Sequence, residues 1–105
     1  MQEIQNVIER HPNLTAHGFG VGPAVHPEEF KLCVTWLSER DFRIRRRTIN
    51  YKLTSYTWKH IVERSVKEYI SNGAFICAAL HLGFKMKKID RISPNVCFNM
   101  RKTEE

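Results

Sequence analysis

The run from Ser71 to Phe84 reads Ser-Asn-Gly-Ala-Phe-Ile-Cys-Ala-Ala-Leu-His-Leu-Gly-Phe. Ser71 suits a helix N-cap, because its hydroxyl can accept from one of the first unpaired amides of a helix. Gly83 suits the stop, where the chain turns left-handed and a Cβ would be in the way. Between cap and stop only Asn72 and His81 are frankly polar. Phe75, Ile76, Ala79 and Leu80 take one side of the helix, and Ala74, Cys77, Ala78 and Leu82 the other. A helix that is apolar all round has to be wrapped by other elements. It is also far short of the roughly twenty residues that span a bilayer. The run is therefore read as a central core helix, with the remaining chain as its shell.

The shell is legible in part. Gln2 to Arg10 places Ile4, Val7 and Ile8 at helical spacing, and His11-Pro12-Asn13 ends that helix. Leu14 to His26, with three glycines and Pro23, reads as an extended or looping segment. Pro27-Glu28-Glu29 opens a helix, proline being pre-set for the first turn and carboxylates favoured there. Phe30, Cys33, Val34 and Leu37 form its stripe, Trp36 flanks it, and an end near Arg40 is expected. Asp41 to Lys52 alternates and reads as a short strand or extended connector. Thr54 or Ser55 caps a further helix with Trp58, Ile61, Val62, Val66 and Tyr69 as its buried stripe, and a link of little more than Ile70-Ser71 makes an αα corner with the core helix. Phe84 to Ile89 and Asn95 to Met100 alternate as two strands around an Asp90–Pro94 turn, so a C-terminal β-hairpin is expected, with Arg101 to Glu105 frayed. The fold class is α+β, mainly helical, one domain over 1–105 with about four helices around the Ser71–Gly83 helix.

A chain of 105 residues suits one domain with one core. Its N-terminus lacks the basic and apolar blocks of a secretory signal. Cys33, Cys77 and Cys97 are odd in number, distant from one another and set beside apolar residues, the pattern of buried thiols in a reducing compartment, most simply the cytoplasm. No close Cys or His pair has structural-zinc spacing, so no metal or other cofactor is expected. None of the thiols has the polar surroundings of a nucleophile. Gly18-Phe19-Gly20-Val21-Gly22 lacks the lysine of a phosphate-binding loop. An enzyme is therefore not expected; the least unfavourable arrangement for one would place His60 with Lys59 and Tyr56 at a helix start.

Charge is the informative quantity. Residues 1–42 carry three basic side chains against six acidic ones, whereas 43–102 carry fourteen against three. The whole chain has a net charge of +6. A surface polarised this way concentrates polyanions or acidic partners. Phosphate contacts use Arg and Lys, the polar side chains of Ser, Asn and Tyr, and helix N-terminal amides. The candidate binding residues are accordingly Arg43, Arg45, Arg46, Arg47, Asn50, Lys52, Ser55, Tyr56 and Lys59, then His60, Arg64 and Lys67 along one helix stripe, and Lys85, Lys87 and Lys88 on the hairpin. The core helix is too apolar to act as the recognition helix of a helix-turn-helix.

Ser55-Tyr56-Thr57-Trp58-Lys59-His60, Tyr69-Ile70-Ser71-Asn72-Gly73-Ala74-Phe75-Ile76, Ala78-Ala79, Gly83-Phe84 and Pro94-Asn95 together resemble a pattern in short proteins of bacteria and their phages or plasmids. The likeness spans Thr48 to Asn99 and brings no binding or catalytic residue with it. It implies a small mobile-element protein, a class that includes DNA-binding regulators and inhibitors of host defence of the anti-CRISPR or anti-restriction type. Many such inhibitors are acidic DNA mimics, and the basic balance here departs from that pattern. The leading expectation is a non-enzymatic nucleic-acid-binding protein, with DNA ahead of RNA and no membrane partner. The alternative is a protein-interaction inhibitor docking on an acidic surface. A homodimer is compatible with either.

Overall fold

The computed structural model describes residues 1–102. Of the frayed end expected from Arg101 to Glu105, 103–105 lie outside the described residues, whereas Arg101 is held in place, its amide donating to the Ile44 carbonyl at 2.7 Å. The elements run α1 (Gln2–Arg10), β1 (Leu14–Thr15), β2 (Gly18–Phe19), α2 (Pro27–Ile44), α3 (Ser55–Val66), α4 (Asn72–His81), β3 (Met86–Lys88) and β4 (Val96–Phe98). α4 is the centre. Nine of its ten residues are buried, and α1, α2, α3 and the β1–β2 hairpin all pack on it. The Ser71 hydroxyl accepts from the Ala74 amide at 3.2 Å, and Gly83 closes the helix at φ +84°. Burial of side chains such as Phe75, Ile76 and Leu80 contributes about 2 kcal/mol each, which is why an element with no polar face is stable here.

An aromatic chain fastens the shell to that centre. Trp36 of α2 meets Trp58 of α3 edge-on at 6.4 Å, Trp58 lies parallel to Phe75 of α4 at 6.3 Å, and Phe75 meets Phe98 of β4 edge-on at 5.9 Å. Trp36 is thus a core residue rather than a flank of its stripe.

Three local readings need correction. α2 runs one turn beyond Arg40, to Ile44. Ile44 lies seven residues after Leu37, two turns along the same buried face, while Phe42 points outward at 83% exposure. The apparent alternation of Phe42 and Ile44 is the chance product of one exposed and one buried apolar residue. α3 ends at Val66, because Lys67 adopts a left-handed conformation at φ +60°. The link to α4 therefore spans Lys67 to Ser71, and Tyr69, expected in the buried stripe, is 67% exposed.

The third correction concerns β4. β3 and β4 pair antiparallel with Met86 opposite Phe98, as a C-terminal hairpin should. Yet every residue from Val96 to Met100 is buried, without alternation. The Arg45–Thr54 connector runs along the other edge of β4, with bridges Arg45 to Met100 and Thr54 to Cys97 and an Asn50 amide donating to the Phe98 carbonyl at 2.9 Å. With both edges satisfied, β4 behaves as an interior strand.

Candidate functional site

The basic segment divides into side chains spent inside the fold and side chains left outside it. Arg45 belongs to the first group. Its guanidinium grips Asp41 through two bonds of 2.6 and 2.7 Å, donates to the carbonyls of Leu82 and Gly83 at 2.8 and 3.2 Å, and lies 3.8 Å over the Phe84 ring. It ties the end of α2 to the end of α4. The arginine hydrogen bonds beside Asp41 hold its carboxyl below the usual range. Arg46 folds onto Thr48, and Asn50 donates to the Met100 carbonyl at 3.0 Å. Ser55 is buried, its hydroxyl accepting from the Val96 amide at 3.1 Å. Of the expected phosphate ligands, Arg45, Asn50 and Ser55 are thus engaged in holding the connector, α3 and the sheet together.

Arg43, Arg47, Lys52, Arg64, Lys67, Lys85, Lys87 and Lys88 are exposed. Lys88 lies 4.5 Å over the Phe19 ring. At the C-terminal end of α2 an open groove of about 510 Å³ is lined by Asp41, Phe42, Arg45, Arg46, Arg47 and Arg101. Arg43 sits 5.6 Å over the outward Phe42 ring beside it. The sequence brought Arg43 to Arg47 together; the fold adds Arg101, from beyond β4.

Lys59, Tyr56 and His60 belong to a different place. A cleft of about 520 Å³ is lined by Ala16, His17, Tyr56, Lys59, Tyr69, Asn72, Pro94 and Asn95. Lys59, expected on the outer arc of α3, is only 5% exposed. Its ammonium lies 3.2 Å from Glu63, with the Tyr56 and Tyr69 rings at 5.3 and 4.7 Å. Glu63 also accepts from His60 Nδ1 at 2.8 Å and from the Ile70 amide at 3.0 Å. Burial pushes the Glu63 carboxyl up, but these hydrogen bonds and the nearby ammonium outweigh it and hold it below 4.5. Lys59 is buried because its charge is met.

The far wall depends on close approach of backbone. The Gly73 amide donates to the Ala16 carbonyl at 2.9 Å, and a Cβ at Gly73 would fall on the Thr15 carbonyl. Only glycine lets the β1–β2 hairpin lie against the first turn of α4 here. Asn72, 7% exposed, donates through Nδ2 to the His17 carbonyl at 3.2 Å and to Asn95 Oδ1 at 2.9 Å. Its own Oδ1 is buried with no donor among the described residues. Tyr69, Asn72 and Asn95 were not among the expected site residues. The available signal was the lone amide in the first turn of an otherwise apolar helix.

The three cysteines are free and buried. Burial pushes the thiol of Cys33 up, that of Cys77 to about 12, and that of Cys97 up as well, the opposite of an activated nucleophile. Among the described residues no group of three His, Cys, Asp or Glu side chains could hold a metal ion, and no helix is long and apolar enough to cross a membrane. His81 ends α4 with its ring 5.6 Å from Phe30. Set against models of known families, curated proteins and solved structures, the chain matches none of them.

Proposed function

We propose that the chain is a non-enzymatic nucleic-acid-binding module that contacts the phosphate backbone through its exposed cations. The carrying observation is the groove at the end of α2, where Arg46, Arg47 and Arg101 line an open channel beside an aromatic ring that is not in the core. Arginines fit phosphate oxygens with paired donors, and an outward ring beside them offers a base a surface to stack on. DNA is the preferred partner. The buried thiols suit work in the reducing cytoplasm.

Anisotropy titrations of labelled single-stranded and duplex DNA and RNA at two salt concentrations test this. Binding should weaken steeply with salt, since each neutralised phosphate releases counterions. The Arg43→Ala/Arg47→Ala/Arg101→Ala variant should lower affinity about tenfold or more and flatten the salt slope by about three, with stability kept within about 0.5 kcal/mol. Absence of binding at low salt would overturn the reading. The same cations and Phe42 would then be assigned to an acidic protein surface, as expected for an inhibitor from a mobile element.

A further inference from the structure

The run of arginines has an exposed aromatic residue on each side of it. Phe42 stands in the last turn of α2, and Tyr51 in the turn that follows Asn50. Their side chains are 83% and 67% exposed. One apolar side chain in solvent is ordinary. Two rings bracketing Arg43 to Arg47 form a pattern, and the fold presents both on fixed backbone. Arg45 pairs with Met100 and the Asn50 amide donates to the Phe98 carbonyl at 2.9 Å, so the connector follows the edge of β4 between the rings. Asn50 also pins the Tyr51 turn, its Nδ2 donating to the Met100 carbonyl at 3.0 Å and its Oδ1 accepting from the Lys52 amide at 3.1 Å. Phe42 precedes Arg45 by about one helical turn, and the partners of Arg45 and Asn50 are two positions apart on β4. The two ring-bearing positions therefore lie within about 15 Å of each other.

We infer that this surface takes a single strand of nucleic acid rather than a duplex, with unpaired bases on Phe42 and Tyr51 and the phosphates between them on Arg43, Arg47 and Arg101. The inference rests on the nucleic-acid reading and adds strandedness to it. The groove is lined by Asp41, Phe42 and four arginines, with no aliphatic side chain, so its one apolar feature is a flat ring. Arg43 approaches that ring to 5.6 Å and still leaves most of it in solvent. Unpaired bases stack on such rings whatever their sequence, and a cationic groove with aromatic residues along it is how strands are held without base reading. A duplex keeps its bases stacked on one another; it can use the arginines but not the rings. The carboxylates of an acidic polypeptide can also meet the arginines, yet nothing in such a chain obliges it to bring two flat groups with them.

The test compares three labelled probes on the intact chain: a mixed-sequence DNA strand of about eight nucleotides, the same length of strand abasic throughout, and a longer blunt duplex. The base-bearing strand should bind about tenfold tighter than the abasic one, the usual worth of a stacked base. The Phe42→Ala/Tyr51→Ala variant should erase that preference while binding the abasic strand and the duplex as wild type does. Both side chains are exposed, so an unchanged urea midpoint should confirm that the variant folds. Phe42→Trp, which keeps a ring, should retain the preference, and Arg47→Ala should weaken all three probes. Equal affinity of the wild type for the two strands, or a preference that survives loss of both rings, overturns the single-strand inference and leaves the phosphate reading standing. An equal loss for all three probes in the double variant overturns it as well, since the rings would then serve the phosphate surface. Failure of every probe to bind overturns the phosphate reading and this inference together.

Discussion

Lys59 and Arg47 are both basic residues of the positively charged half of the chain, and they stand at opposite extremes of use. Lys59 is enclosed, with Glu63, Tyr56 and Tyr69 arranged around its ammonium. Arg47 is exposed on the wall of an open groove. The two cavities are similar in volume, yet one is built from backbone contacts distant in sequence and the other from one run of arginines joined by Arg101. A charge that is met inside the fold shapes a site without being offered to a ligand. A charge left in solvent is available to any polyanion. Substitutions among the buried contacts behind the cleft should therefore damage folding, and substitutions of the exposed arginines of the groove should damage binding.

The largest effect is expected at Gly73. Gly73→Ala drives a Cβ into the Thr15 carbonyl and strains the amide bond to Ala16. The hairpin must move off α4, at a cost of about 3 kcal/mol or more. Urea unfolding measures this as a lower midpoint, and the His17 and Asn72 sides of the cleft should part. A midpoint close to wild type would mean that the cleft wall yields easily and that the distinction between a built and an open site is weak.

Glu63→Gln comes next, at about 2 kcal/mol near neutral pH, because Lys59 then lies buried beside an uncharged amide. Linkage supplies a second signature. The folded Glu63 carboxyl titrates below its ordinary 4.5, so the unfolded chain takes up its proton first as pH falls. The carboxylate's stabilisation is complete above that ordinary value and lost as pH drops through the lowered folded one. The variant should show a shallower acid limb in unfolding midpoint against pH. Some slope must remain, since the Asp41 carboxyl is also held low by Arg45. Parallel acid limbs in the two proteins would remove Glu63 from the account.

These contrasts also mark what a linear reading can see. The α4 helix was legible because its cap, stop and apolar run are local, and the β3–β4 hairpin because its Asp90–Pro94 turn is local, even though the alternation read into β4 is not seen in its burial. Lys59 was assigned to the outside since lysine is rarely buried unpaired, and its partner's role emerges only where the chain leaves α3 and the Ile70 amide returns to Glu63. Asn72 is 23 residues from Asn95 and 55 from His17, so nothing in a helical or strand period announces their junction. The Arg43–Arg47 run was visible as composition. Which of its members are spent was not, because that depends on where the carbonyls at the end of α4 arrive.

Arg45 and Arg47, two positions apart in that run, give the finest comparison. Arg45→Ala loses the paired bonds to Asp41, two carbonyl contacts and the Phe84 stack, and should cost about 1–2 kcal/mol; the discount reflects a guanidinium about one-third exposed. Arg47→Ala should leave the urea midpoint within about 0.5 kcal/mol of wild type and lower polyanion affinity instead. Arg45→Lys separates charge from geometry. An ammonium keeps the positive charge but cannot span both Asp41 oxygens while stacking on Phe84. If geometry is what holds the end of α2 to the end of α4, Arg45→Lys should recover little of the lost stability, and affinity measured on the folded fraction should stay near wild type in both Arg45 variants. A lysine that restores the midpoint in full would reduce Arg45 to a point charge. An alanine at 45 that weakens binding as much as one at 47 would erase the line drawn between spent and offered arginines.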